Sequence, residues 1–106
     1  MAQYAIVYIG GNPPATKEEG MAHMQKYKDW IKSLGDAAVS PANPLAKTHT
    51  VGSDGSVQEG GKAGMSGYTI VEAESIEAAI AIAKACPFLE IGGSLEVSEL
   101  IQMPMQ

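Results

Sequence analysis

The chain has 106 residues, with twelve Asp/Glu against seven Lys/Arg and a formal net charge of −5. That is the length of one domain with one modest core. Its basic residues are all lysines and form no run, so the arginine forks that grip phosphates and base edges are missing and no nucleic acid is expected as a partner. The single cysteine, Cys86, excludes an intrachain disulfide. The N-terminal MAQYAIVYIGG has no basic leader and no cleavage pattern, and no apolar run approaches the ~20 residues of a membrane span. A cytoplasmic protein away from the membrane is expected.

Residues 2–9 (AQYAIVYI) read as the first strand. Tyr4, Ile6 and Tyr8 share one face; Ala5, Val7 and Ile9 share the other. Both faces are apolar, which predicts a strand covered on both sides. Gly10, Gly11, Asn12, Pro13 and Pro14 end it.

A helix is predicted from Thr16 to Gly35 (TKEEGMAHMQKYKDWIKSLG). Thr16 is the N-cap, Glu19 completes a capping box, and Glu18 suits the positive end of the helix dipole. Met24, Tyr27, Ile31 and Leu34 form an inward stripe, with Lys17, Gln25, Lys28, Asp29 and Lys32 mostly on the wet side. Gly35 is a natural C-terminal cap.

Residues 36–46 (DAAVSPANPLA) carry two prolines and read as an irregular connection. KTHTV at 47–51 alternates, with His49 and Val51 on one face, and Asp54–Gly55 is a hairpin-turn signal before a short return at Val57. The glycines at 60, 61, 64 and 67 read as a loose loop, a lid over any pocket beneath it, and SGYTIVE at 66–72 as a further strand. Ser75 caps a second helix over 76–86, with Ile76, Ala79, Ile80 and Ala83 as its inner face, and Pro87 stops it. Leu95 to Ile101 is the last strand, followed by a frayed or partner-pairing QMPMQ tail.

The order β-α-β-(β)-β-α-β gives a split βαβ arrangement: an α+β, ferredoxin-like βαββαβ sandwich, with an antiparallel sheet and two helices on one face. The other sheet face is then left bare. Pairing of two such faces across a two-fold axis would cover it, so a homodimer through the sheet faces is the expected partner.

At this point the pattern resembles the YCII-related family, which includes the DGPF-type proteins, of the dimeric α+β-barrel superfamily. The pieces that match are Tyr4–Ile9, HMQKYKDWIKSLG at 23–35, the Asp54–Gly55 turn, GYTIV at 67–71, SIEAAIAIAKACP at 75–87 and LEVSEL at 95–100. The resemblance implies a ferredoxin-like protomer, a face-to-face homodimer and a pocket between helix and sheet. It also implies an active pair formed by a histidine on the first helix and an aspartate before the proline that ends the second. His23 matches that histidine, but Cys86 stands at the aspartate position, and the DGPF string is replaced by DGSV at 54–57.

His23 lies beside the stripe of Tyr27, Trp30 and Leu34. An imidazole with an ordinary pKa of about 6.5 can pass a proton at neutral pH, or else sit half-buried on a loop hydrogen bond. His49 can share a cavity with His23 and polarise a ligand, or be structural; two histidines alone are too few for a closed zinc site, and no metal is expected. Asp36 and Asn43 can orient an imidazole or bind a ligand, or do local turn work. Cys86 sits at a helix C-terminus, which disfavours its thiolate. GGKAGMSG at 60–67 lacks the ending of a phosphate loop and precedes a strand, so no cofactor is expected. Two functions follow. One is a non-catalytic ligand-binding or accessory module with a small-molecule pocket lined by Tyr27, Trp30, Asn43 and His49. The other is an enzyme using His23 as general acid/base in that pocket. A purely structural dimer is the third reading.

Overall fold

A computed structural model describes residues 1–103 of the chain. Six strands and two helices follow in the order β1 (Ala2–Gly10), α1 (Lys17–Leu34), β2 (Ala38–Pro44), β3 (His49–Val51), β4 (Val57–Glu59), β5 (Met65–Ala73), α2 (Ile76–Lys84) and β6 (Gly93–Glu99). Short 3-10 turns follow each helix, at Gly35–Ala37 and Pro87–Ile91. The main sheet runs β2-β5-β1-β6, antiparallel throughout, and β3 and β4 form a separate two-stranded hairpin. This is the ferredoxin-like α+β arrangement expected from the element order.

The caps explain where the helices begin. Thr16 is extended, and its side chain accepts the N–H of Glu19 at 3.1 Å. The Glu19 carboxylate reaches back to the Ala15 N–H at 3.0 Å, one residue before the partner a capping box normally uses. Gly35 closes α1 at φ 55°, in the half of backbone space that side chains avoid. Ser75 accepts the N–H of Ala78 at 3.1 Å and so starts α2.

The core lies between one sheet face and the helices. Tyr4, Ile6 and Tyr8 of β1 stand opposite Val71, Thr69 and Gly67 of β5, and all six are buried. Trp30 from α1 and Ala79 and Ala83 from α2 close over them. Along the opposite face, Ala5, Val7 and Ile9 of β1 and Tyr68 and Ile70 of β5 are only half-buried. The helices therefore cover one side of β1, where the sequence predicted cover on both.

Several sequence expectations are corrected. The stretch 36–46 is no irregular connection: Ala38–Pro44 is a strand and forms the sheet edge beside β5. Its two prolines are tolerated because an edge strand has one side without ladder donors, and the register breaks between Ala38 and Ser40 and between Ser40 and Asn43. The 47–51 segment consequently leaves the main sheet and pairs only with β4, through His49–Glu59, Thr50–Gln58 and Val51–Val57. On α2, Ile80 faces outward at 39% exposure, over a groove beside β6, and the helix ends at Lys84. Met24 of α1 is likewise half-exposed at 51%. The last three residues of the expected tail, 104–106, lie outside the described residues.

Among the described residues no helix is long and apolar enough to cross a membrane. The chain forms a thin slab, 43 × 38 × 19 Å, with a radius of gyration of 15.4 Å. A compact chain of this length has about 13 Å, so part of the polypeptide stands away from the body.

Ile6 is fully buried at the sheet centre, whereas Thr16 acts only on one helix end. Ile6→Ala is expected to lower unfolding free energy by about 2–5 kcal/mol and Thr16→Ala by about 1 kcal/mol. Urea unfolding followed by circular dichroism checks both; equal losses would contradict the placement of the core.

Candidate functional site

A cavity of about 450 Å³ opens between α1, the β2 edge, the β5 start and the 3-10 turn after α2. That is within the usual range for small-molecule sites. Its α1 wall is His23, Met24, Tyr27, Lys28 and Ile31. At 100° per residue these five spread over a wedge of about 140° around the helix, with His23 and Lys28 at its two flanks. Ala42, Asn43 and Pro44 of β2 face them, and Tyr8, Phe88 and Ile91 complete the apolar lining. Tyr8 and Phe88 stack with ring centroids 4.9 Å apart, and Tyr27 meets Tyr8 edge-on at 6.1 Å.

Three hydroxyls meet at the floor. Tyr8 Oη lies 2.6 Å from Thr69 Oγ1 and in hydrogen-bond contact with Tyr27 Oη. Tyr27 Oη donates to the carbonyl oxygen of Pro41 at 2.9 Å, and Thr69 Oγ1 donates to the same oxygen at 2.7 Å. Both lone pairs of that carbonyl are then filled. Tyr8 has one proton to give to either neighbouring hydroxyl. The bulged register of β2 turns the Pro41 carbonyl inward to the cluster. Burial pushes the Tyr8 phenol far above its ordinary value; the Thr69 bond opposes this and the Tyr27 contact adds to it.

Asn43 holds the same bulge. Its Nδ2 protons are shared among Ser40 O at 3.0 Å, Ser40 Oγ at 3.0 Å and Tyr68 O at 3.2 Å. It lines the cavity, but its side chain is committed to the strand.

Other expected site residues fall outside the lining. Trp30 lies about 20° beyond the His23 flank of the wedge. There it is 6% exposed and donates Nε1–H to Ile82 O at 3.1 Å, tying α1 to α2. Its ring touches Tyr27, with centroids 5.6 Å apart, so it backs the wall without forming it. His49 sits on the hairpin, exposed, with Nδ1–H donating to Lys47 O at 2.8 Å. The chain turns away from the body at Lys47, φ 55°, which carries His49 out of the cavity that holds His23. Asp36 is exposed on the 3-10 turn after α1. His23, Tyr27 and Asn43 are thus brought together, and Trp30, Asp36 and His49 are not.

Sequence reasoning missed Tyr8, Thr69, Phe88 and Lys28 as site residues. Alternation along β1 did point Tyr8 inward with Ile6, but nothing local announced that a hydroxyl from another strand would meet it. Lys28 is exposed, as its place on the wet side predicts, yet its position five residues after His23 sets it on the opposite flank of the same wedge.

Cys86 is 2% exposed and points at Tyr8 Oη, 3.9 Å away, behind the cavity floor. Burial raises its thiol, partly offset by the Phe88 backbone N–H and the Tyr8 hydroxyl. Among the described residues no group of His, Cys, Asp and Glu is arranged to hold a metal ion.

Helices on one face of a β2-β5-β1-β6 sheet, with a cavity between α1 and the sheet edge, define an α+β protein of the ferredoxin-like class. Within that class the match is specific: the family model of the YCII-related domain covers residues 3–104, and the chain belongs to that family. Among curated proteins, none matches the chain.

The raised Tyr8 pKa has a testable sign. Its folded value lies above its unfolded value, so this stabilisation is complete below about pH 10 and is lost as pH rises from there toward the folded value. Burial raises the Tyr4 phenol as well, so absorbance titration at alkaline pH should show a late tyrosine step to which Tyr8 contributes, and Tyr8→Phe should lower its amplitude by one tyrosine.

Proposed function

We propose that the chain is a non-catalytic binding module that takes a small, largely apolar molecule into the α1–sheet cavity. The observation that carries the reading is the state of the cavity's reactive groups. The floor hydroxyls and the Asn43 amide are consumed by protein partners. The thiol at the position of the family's aspartate is buried behind Tyr8 with its pKa raised. Such a cavity offers shape and apolar contact, and among the described residues no carboxylate lines it to relay protons with His23.

The enzyme alternative keeps His23 as general acid/base, because that imidazole lines the cavity and is half-buried. It requires a substrate that itself supplies the second proton-transfer group.

A ligand that binds the folded state alone stabilises it by about 2.7 kcal/mol at a hundred times its Kd. Thermal unfolding against a panel of small aromatic and aliphatic metabolites is expected to find at least one that raises Tm unchanged in composition. Ala42 is exposed on the edge strand and lines the cavity. Ala42→Trp should therefore fill the site, leave the unliganded Tm within a few degrees and abolish the shift. Turnover of the stabilising compound, lost in His23→Ala, would replace the binding reading with the enzymatic one.

We further propose a homodimer through the open sheet faces. The half-buried Ala5, Val7, Ile9 and Ile70 and the 19 Å thinness of the slab support it: one helix layer on one sheet leaves an apolar face without a second layer. Light scattering at micromolar concentration is expected to give twice the 11.1 kDa chain mass. Val7→Lys should bring it to the monomer value; a wild-type mass of one chain would refute the dimer.

A further inference from the structure

We propose that the ligand of this cavity is a monocarboxylate with an apolar, preferentially aromatic body, its carboxylate held at the mouth by His23 and Lys28. This rests on the reading of the cavity as a binding site and adds the chemical class of what it binds.

The inference comes from sorting the cavity's polar groups by what they have left to give. At the floor, Tyr27 and Thr69 direct their protons to Pro41 O, and Tyr8 directs its proton to one of these two hydroxyls. Asn43 shares its two amide protons among three acceptors. A ligand group that needs hydrogen-bond donors finds none there, so a charged end placed on the floor would be desolvated without compensation. The apolar end belongs on the floor, against the Tyr8–Phe88 stack, Ile31 and Ile91. Aromatic edges and faces presented together favour a ring over a plain chain.

At the mouth the situation is reversed. His23 and Lys28 line the cavity from the two flanks of α1. Among the described residues the ion pair on this helix joins Lys26 to Glu90 at 2.8 Å and does not involve Lys28. The remaining polar residues of the lining, Ser66 and Tyr68, carry no charge. The lining thus carries bases and no acid, in a chain whose formal net charge is −5. Local sign opposite to global sign is how a site selects an anion that the rest of the surface repels. Basic groups on both flanks of the opening favour an anionic group there over a neutral one, and the cavity of about 450 Å³ has room for one ring with a short side chain.

The test is calorimetric titration of the full chain at low salt with three compounds of one shape: 4-phenylbutyrate, its neutral amide and the corresponding amine. The acid is expected to bind at least about tenfold more tightly than the amide, with the amine weakest. Lys28→Gln and His23→Gln should each weaken the acid by about five- to tenfold and leave the amide unchanged. Ala42→Trp should abolish binding of the acid; retention would put it on another surface and overturn the proposal. Equal affinity for acid and amide, or indifference of the acid to both substitutions, would also overturn it. Indole, neutral and apolar, tests the cavity itself. If indole binds and the acid does not, the anion assignment falls and the binding site stands. If neither binds, both fall.

Discussion

One backbone carbonyl organises this molecule around its cavity. The oxygen of Pro41 receives hydroxyl protons from α1 and from β5, and a third hydroxyl, from β1, closes the cluster. Every element bordering the cavity except the turn after α2 is therefore fastened at one point. The cluster sits on the buried side of the sheet, where a polar group without a partner costs about 1–3 kcal/mol. No buried side-chain nitrogen or oxygen among the described residues lacks a partner. The arrangement needs a carbonyl aimed inward from an edge strand, and a regular ladder residue would have spent that carbonyl on its neighbour. Proline and the bulge around it supply what the ladder cannot.

This explains which parts of the protein were legible in its residues. The strand over 2–9, both helix starts, the Gly35 stop and the Asp54–Gly55 turn follow from local chemistry, and each appears within a residue or two of its expected place. The edge strand was hidden because prolines at 41 and 44 are strong breakers locally, and only the free side of β5 gives 38–44 a reason to be extended. With 36–46 read as a connection, 47–51 becomes the next strand of the sheet and brings His49 with it. The site suffered in the same way. His23, Tyr27 and Asn43 were identifiable by residue type and helix phase, but the Tyr8–Thr69 contact joins residues 61 apart in sequence. Trp30 was misplaced by a small angle: a helical stripe wide enough to face both α2 and the cavity does not say which residue faces which.

The same cluster bears on chemistry. On α1 a histidine lines the cavity, and at the end of α2 a thiol, Cys86, precedes Pro87. That thiol is buried against Tyr8 and Phe88. A small, soft and buried side chain at this position packs and does not relay protons. The Tyr8 hydroxyl above it is held neutral by its surroundings. What remains reactive in the cavity lies along α1, at the solvent side, and the interior surface is rigid and polar only toward itself.

The β3–β4 hairpin has a different relation to the rest. Its three residue pairs contact one another, Val51 and Val57 stand 68% and 62% exposed, and it hangs from the body by the strand ends at Pro44 and Met65. A two-stranded ribbon without a packed face has little free energy of its own. Its amide hydrogens should therefore exchange by local opening, many orders faster than those of β1 and β5, and the two regions behave as separate cooperative units. Because the ribbon can open without disturbing the hydroxyl cluster, that stretch of sequence is free to vary in length and composition while the cavity stays intact.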